Sequence, residues 1–197
     1  MENKSENSIL KEIYELCETV LIAFFTVSLL LAYVVRVSDV DGPSMENTFH
    51  TADKVISLPL ARNFRTGDVI VANTDESGIY DEDGSLIHVE GLNKTVIKRV
   101  IASEGQTIDI DFESGSVTVD GVLLDEPYIT GLTHNDEGAF TGKYPLTVPE
   151  GYVFVMGDNR AVSMDSRSPK IGFVDENRII GKVVLRIFPF DSFGKIG

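Results

Sequence analysis

Cysteine occurs once in the 197-residue sequence, at Cys17, which excludes an internal disulfide and a CxxC metal site. It reads as a small hydrophobe near the end of a helix. Histidine is equally sparse: His50, His88 and His134 stand far apart and show no metal-ligand spacing, so no metal and no other cofactor is expected. Basic residues are outnumbered, 17 Lys and Arg against 31 Asp and Glu, for a net charge of −14. That balance argues against a nucleic-acid partner, because phosphate binding needs clustered Lys and Arg. There is no low-complexity tract and no short internal repeat. With 43% hydrophobic and 24% charged residues the composition is that of a folded chain, long enough for one well-buried domain.

What the sequence does have is one long apolar run. From Thr19 to Val35 it reads "TVLIAFFTVSLLLAYVV", without a charge. At about 1.5 Å per residue the run spans ~25 Å, the short end for a hydrocarbon core of ~30 Å, and neighbouring residues extend it over 19–37. Ile9, Leu10, Ile13, Leu16 and Cys17 fall at helical spacing, so an amphipathic helix over 1–18 leads in. A removable signal peptide is the rival reading. Its apolar core would be shorter and followed by small residues in an A-x-A-like pattern, whereas "RVSDVDGPS" follows here. A retained anchor contacting the lipid bilayer is expected. Charge does not orient it: Lys4 and Lys11 precede the run, and Arg36 and Lys54 follow it.

Beyond residue 36 short runs rich in Val and Ile alternate with Gly, Asp, Asn and Pro: "KVISLPL", "GDVIVAN", "KTVIKRVIAS", "QTIDIDF", "SVTVDGVLL", "GYVFVMGDN" and "RIIGKVVLRIF". "TIDIDFESGSVTVDGV" predicts a hairpin turning at Glu113 to Ser116, and the polar regions 72–92 and 130–146 predict loops. The fold class is therefore mainly β, an antiparallel sheet domain preceded by one N-terminal transmembrane helix.

Three places carry possible chemistry. In "DGPSMENTFH" a Gly-Pro pair precedes Ser44 and sets a turn that can expose its hydroxyl and the amides after it. Alone this is an ordinary turn serine. As a nucleophile it needs a base, because the free hydroxyl is a poor nucleophile near neutral pH, and an oxyanion site. His50 is near in sequence, without a reason for the right geometry. Lys98, in "TVIKRVI", alternates onto one strand face with Val96 and Val100, while Arg99 lies with Ile97 and Ile101. Burial among such neighbours favours a neutral amine. A lysine reaching a pKa of ~7.5 from ~10.4 needs about 4 kcal/mol of differential interaction. Arg99 cannot serve as the base, since guanidinium stays charged. The plain alternative is a solvated edge lysine. Third is "MGDNRAVSMDSRSPKIG", in which Asp165 and Arg167 can pair and Ser163 can hydrogen-bond the amine of Lys98. A calcium loop would need a different order of acids; a solvated surface loop is the other reading.

Taken together, the anchor, "GPSM", "FRTGDVIV", "KRVIASEG" and "GDNRAVSMDSRSPKIG" resemble, in order, the bacterial type I signal peptidase family, in its compact Gram-positive form. The resemblance implies a serine endopeptidase in which Ser44 attacks the scissile carbonyl and neutral Lys98 takes its proton. It implies supporting roles for Ser163, Asp165 and Arg167, and places Met45 and Ile97 in the substrate site. It further implies that 38–104 and 149–197 form the catalytic β domain and 105–148 a small β insertion. The partners would be secretory preproteins, bound as extended strands with small side chains at the first and third positions before the cut. The location would be the cytoplasmic membrane, single-pass, with the catalytic domain outside. The sequence departs from the family pattern at Gly42, Asn47, Phe49, Ala161 and Val162 and in "SEGQ", none of them in the dyad. Two other readings stand beside this one: a silent anchored scaffold that binds peptides, and the related self-cleaving repressor type. The anchor and the lack of a helical DNA-binding domain argue against the latter.

Overall fold

A computed structural model describes the backbone of residues 2–196 and the side chains of residues 10–196. The chain divides into two compact units, one ending at Val35 and one beginning at Arg36.

The first unit is one helix, α1 (Glu2–Val34), without Gly or Pro to interrupt it. Its stretch Leu10–Val34 holds an 18-residue window of mean hydropathy 2.1 and is exposed along its length. Twenty-five helical residues reach about 37 Å, enough for a hydrocarbon core of about 30 Å. Thr19 and Thr26 return their hydroxyls to the carbonyls of Glu15 and Ile22, at 2.8 Å each, so neither needs an outside partner. The helix closes where Val35 N–H donates to Leu31 O at 2.9 Å. The expected anchor over 19–37 is thus corrected at its end. Arg36 and Val37 leave the helix because strand pairing with Ser57 and Ile56 takes up their backbone groups.

Among the described residues of the second unit fourteen strands occur: β1 (Arg36–Asp39), β2 (Lys54–Leu58), β3 (Val69–Asn73), β4 (Glu76–Tyr80), β5 (Leu86–Glu90), β6 (Thr95–Ser103), β7 (Thr107–Asp111), β8 (Ser116–Val119), β9 (Val122–Leu123), β10 (Leu146–Thr147), β11 (Tyr152–Met156), β12 (Val174–Asp175), β13 (Ile179–Phe188) and β14 (Gly194–Lys195). The main sheet runs β1-β2-β13-β3-β6-β11-β12, with β14 on β13, and these ladders are antiparallel. A four-stranded sheet, β10-β7-β8-β9, lies within 105–148, and β4 and β5 form a two-stranded sheet.

Strand β3 explains why the site-bearing part of the sheet is rigid. Its alternation sends Val69 and Val71 into a cluster with Val40, Met45, Phe49, Val55 and Val183, and Ile70 and Ala72 into another with Val100, Val153 and Val155. A strand buried on both faces needs a continuous apolar run, and "VIVA" supplies it. A third cluster joins the smaller sheet to the main one, packing Ile108, Ile110, Val117 and Leu146 against Ile101, Phe154, Met156 and Phe173.

The hairpin expected at Glu113–Ser116 is present: β7 and β8 pair from Asp111↔Ser116 to Ile108↔Val119. The loop expected over 72–92 is instead largely the β4–β5 hairpin, with Gly78 opposite His88. Its strands carry Ser, Gly, His and Glu, and only two of their ten positions are buried, so the apolar alternation that marks a strand is diluted.

Candidate active site

The turn bearing Ser44 is built by two anchors behind it. Met45 and Phe49, 1% and 0% exposed, sink into the core cluster, while Glu46 N–H donates to Pro43 O and Thr48 and Phe49 N–H both donate to Met45 O. Gly42 opens the turn at φ +87°, where an L side chain is strained although the space around it is empty. The departure from the family pattern at Gly42 therefore has a backbone reason. Ser44 O accepts from Asn159 N–H at 3.0 Å, tying the turn to the loop after β11. The Ser44 N–H donates to no group among the described residues.

Lys98 stands in β6 opposite Ile70 and is 4% exposed. Its amine donates to Ser44 Oγ at 2.8 Å, joining residues 54 positions apart. The neighbours sort as strand alternation requires, with Val96 and Val100 in one apolar cluster and Ile97 in another. Burial pulls the Lys98 pKa down from its usual value; the carboxylates of Asp165, Asp158 and Glu137 act in the opposite sense, and Arg167 adds to the lowering. His50 is exposed, and its backbone N–H bonds Asp53; it makes no hydrogen bond to Ser44.

Three buried arginines hold the frame. Arg99, next to Lys98, grips Asp158 with Nε and Nη2 at 2.8 and 2.7 Å and Gly67 O at 2.8 Å. It also reaches Thr48 Oγ1 at 3.2 Å and stacks its guanidinium 3.9 Å over Tyr128. Thr48 in turn donates to Asp158, so the Ser44 turn, the start of β3 and the 157–168 loop meet at one guanidinium. Arg167 holds both oxygens of Asp165 at 2.8 Å and donates to the carbonyls of Asn135, Arg160 and Ser163. Arg160 binds Glu126, Thr133 Oγ1 at 2.7 Å and Gly157 O at 3.1 Å. Such forked donors hold a carboxylate by two parallel bonds while serving other acceptors, a planar geometry that a lysine lacks.

Gly157 lets the parts close. A Cβ there would lie 2.4 Å from Ser44 O and 2.1 Å from Ser163 Oγ, and its N–H donates to Asp165 Oδ2 at 3.0 Å. Ser163 is 1% exposed, and its hydroxyl has no hydrogen-bond partner among the described residues. The expected bond from Ser163 to the Lys98 amine is absent: the amine is directed at Ser44. Asp165 and Arg167 are paired as the sequence suggests. Beside them Glu137 is half-buried, 3.7 Å from Arg167 Nη2, and burial followed by the Asp165 charge pushes its pKa up to about 7.

A cleft of about 260 Å³ opens at Ser44 and Lys98. Ser38–Asp41 and Lys94–Lys98 line it, with Ser44, Met45 and Val71 completing the lining. Met45 and Ile97 both border it. Arg99, Asp158, Arg160, Glu126 and Glu137 were not singled out by the sequence for this site. The only signal for them is the density of charge in and around residues that also read as strands.

Residues 13–188 match the family model described as signal peptidase, peptidase S26. Signal peptidase I of Bacillus licheniformis is 29% identical, the alignment covering 98% of each chain. A probable signal peptidase I-1 of Synechocystis sp. is 32% identical over 100% of this chain and 93% of its own. Signal peptidase IB of Staphylococcus aureus strain COL is 28% identical over 93% of both. A crystal structure of a signal peptidase I from Enterococcus faecalis V583 aligns with 60% of this chain and 95% of that one, at 25% identity and a TM-score of 0.43.

Proposed function

The chain belongs to the signal peptidase family, peptidase S26, and is a serine-protease hydrolase; we propose that it is anchored in the cytoplasmic membrane and removes signal peptides from secreted preproteins with a Ser44–Lys98 dyad. The observation that carries this reading is the 2.8 Å approach of Lys98 Nζ to Ser44 Oγ, with the lysine buried.

Burial supplies what a lysine base needs, a share of neutral amine at ordinary pH. With the amine neutral, the polarity of the contact reverses: Ser44 O–H donates to Nζ, and the oxygen attacks the scissile carbonyl as its proton passes to the amine. The charge on the carbonyl oxygen needs preorganised donors, and the unused Ser44 N–H is one. The ammonium then returns its proton to the leaving amide nitrogen, leaving an ester on Ser44. Water, deprotonated by the same amine, hydrolyses it. Asp165–Arg167 and Asp158–Arg99 keep the two reacting side chains in register.

The cleft suits an extended chain because two continuous backbone segments, 38–41 and 94–98, line it. Met45 and Ile97 shape the pocket for the small side chain before the cut. Substrates carry an apolar segment held in the bilayer. An enzyme anchored through α1 meets them at a raised effective concentration. The catalytic unit acts on the extracytoplasmic face.

The test is precursor cleavage by the purified full chain in detergent micelles. Ser44→Ala and Lys98→Ala are each expected to lower the rate about 10³-fold or more, with unchanged circular dichroism. Full activity in either variant sinks the dyad.

A further inference from the structure

Residues 126–133 follow β9 in the smaller β region, yet they lie against the loop that holds the nucleophile turn. Thr130 N–H donates to Asp158 O at 2.8 Å, and Thr130 forms a parallel bridge with Asn159. Glu126 accepts from both Nη atoms of Arg160, Nη1 at 3.0 Å, and Thr133 Oγ1 accepts from the same Nη1 at 2.7 Å. The consecutive residues Asp158, Asn159 and Arg160 are thus held at both ends. Asp158 is gripped by Arg99 and Arg160 by Glu126, while Asn159 between them gives its N–H to Ser44 O at 3.0 Å. Where that amide stands decides where the Ser44 turn stands.

One side chain touches both grips. The Tyr128 ring lies 3.9 Å from the Arg99 guanidinium, and its hydroxyl donates to Glu126 Oε1 at 3.1 Å. We propose that Tyr128 is a positioning residue for cleavage: its ring fixes the plane of Arg99 and, through Asp158 and Asn159, the place of Ser44 before the Lys98 amine. An aromatic face attracts a guanidinium without offering an acceptor that competes for its N–H groups, so the fork stays aimed at Asp158. The same guanidinium reaches Thr48, in the nucleophile turn, at 3.2 Å, which gives the ring a second route to Ser44. The hydroxyl anchors the ring. Burial, followed by the Glu126 charge, pushes its pKa up, so it remains a donor. Small displacements matter here, because a misplacement of about 1 Å between reacting groups costs on the order of 10²-fold in rate. Packing alone is the plain alternative. A side chain that only fills space changes stability; one that aims the nucleophile changes kcat in molecules that are still folded.

The inference rests on the Ser44–Lys98 reading. It is tested by kcat and KM of the full chain in detergent micelles with a signal-peptide substrate, below the onset of thermal unfolding of each variant. Tyr128→Leu removes ring and hydroxyl together and is expected to lower kcat about 10- to 100-fold, with KM within about threefold. Tyr128→Phe keeps the ring on Arg99 and loses only the bond to Glu126, so kcat stays within about threefold of wild type. Should the Leu variant unfold, Tyr128→Met fills the gap with a flexible side chain and takes its place. A folded Leu or Met variant with wild-type kcat overturns the proposal, as does a raised KM with kcat unchanged, or a Phe variant as slow as the Leu one. Activity surviving in Ser44→Ala or Lys98→Ala brings down the dyad itself, a different result from a working dyad indifferent to Tyr128.

Discussion

Lys98 lies between Ile97 and Arg99 on a central strand, where a methylene side chain would pack without an ammonium to desolvate. Its folded pKa is lowered, so between that value and 10.5 the unfolded chain binds a proton that the folded one does not. Stability therefore rises with pH across that window, and the cost of burial is greatest below it. Lys98→Met is expected to abolish cleavage and to stabilise the β unit by about 1 kcal/mol at neutral pH, an advantage that shrinks toward pH 10.5. Thermal unfolding at several pH values measures it. Gly157→Ala acts in the other direction. Its new carbon meets Ser44 O and Ser163 Oγ well inside contact distance, so activity and thermal stability both fall. Ser44 and Lys98 were legible in the sequence because short blocks surround them. Glu137 was not: a glutamate in a polar, glycine-containing segment reads as solvated until the loop that covers it is known.

Elements position these residues through a pairing that sequence does not display. Arg99 meets Asp158 across 59 positions, and only the β6–β11 ladder brings them together. From the sequence, Arg99 could be excluded as a base, but its use as a clamp on two loops could not be read. Arg99→Met leaves Asp158 buried without its counter-charge, which costs about 3–5 kcal/mol, a large part of a typical domain's 5–15 kcal/mol. The expected result is a lower urea midpoint with a parallel loss of cleavage, and Arg99→Lys recovers little of either because it lacks the fork. The strands of the main sheet were legible wherever Val and Ile run on, as in β3, β6, β11 and β13. The β4–β5 hairpin was hidden because Gly, Ser and His interrupt its pattern.

At the scale of the whole molecule, the three buried clusters are composed of residues beyond Arg36. A chain beginning at Arg36 is thus expected to fold, and to cleave a short soluble peptide at a rate close to that of the full chain. Under the proposed anchoring, its rate on precursors embedded in vesicles should drop about 10²-fold or more, since α1 would share the substrate's two-dimensional space. Comparing the two substrates separates tethering from chemistry. The order of the main sheet has one more consequence. β1 is one of its two edge strands, paired by β2 alone, and its residues Ser38 and Asp39 line the cleft. An edge of that kind reads peptide groups, which are common to all proteins, and leaves side-chain choice to a pocket or two. One enzyme can then serve a whole secretome, and exported proteins are free to diverge in most of their leader sequence without losing their processing.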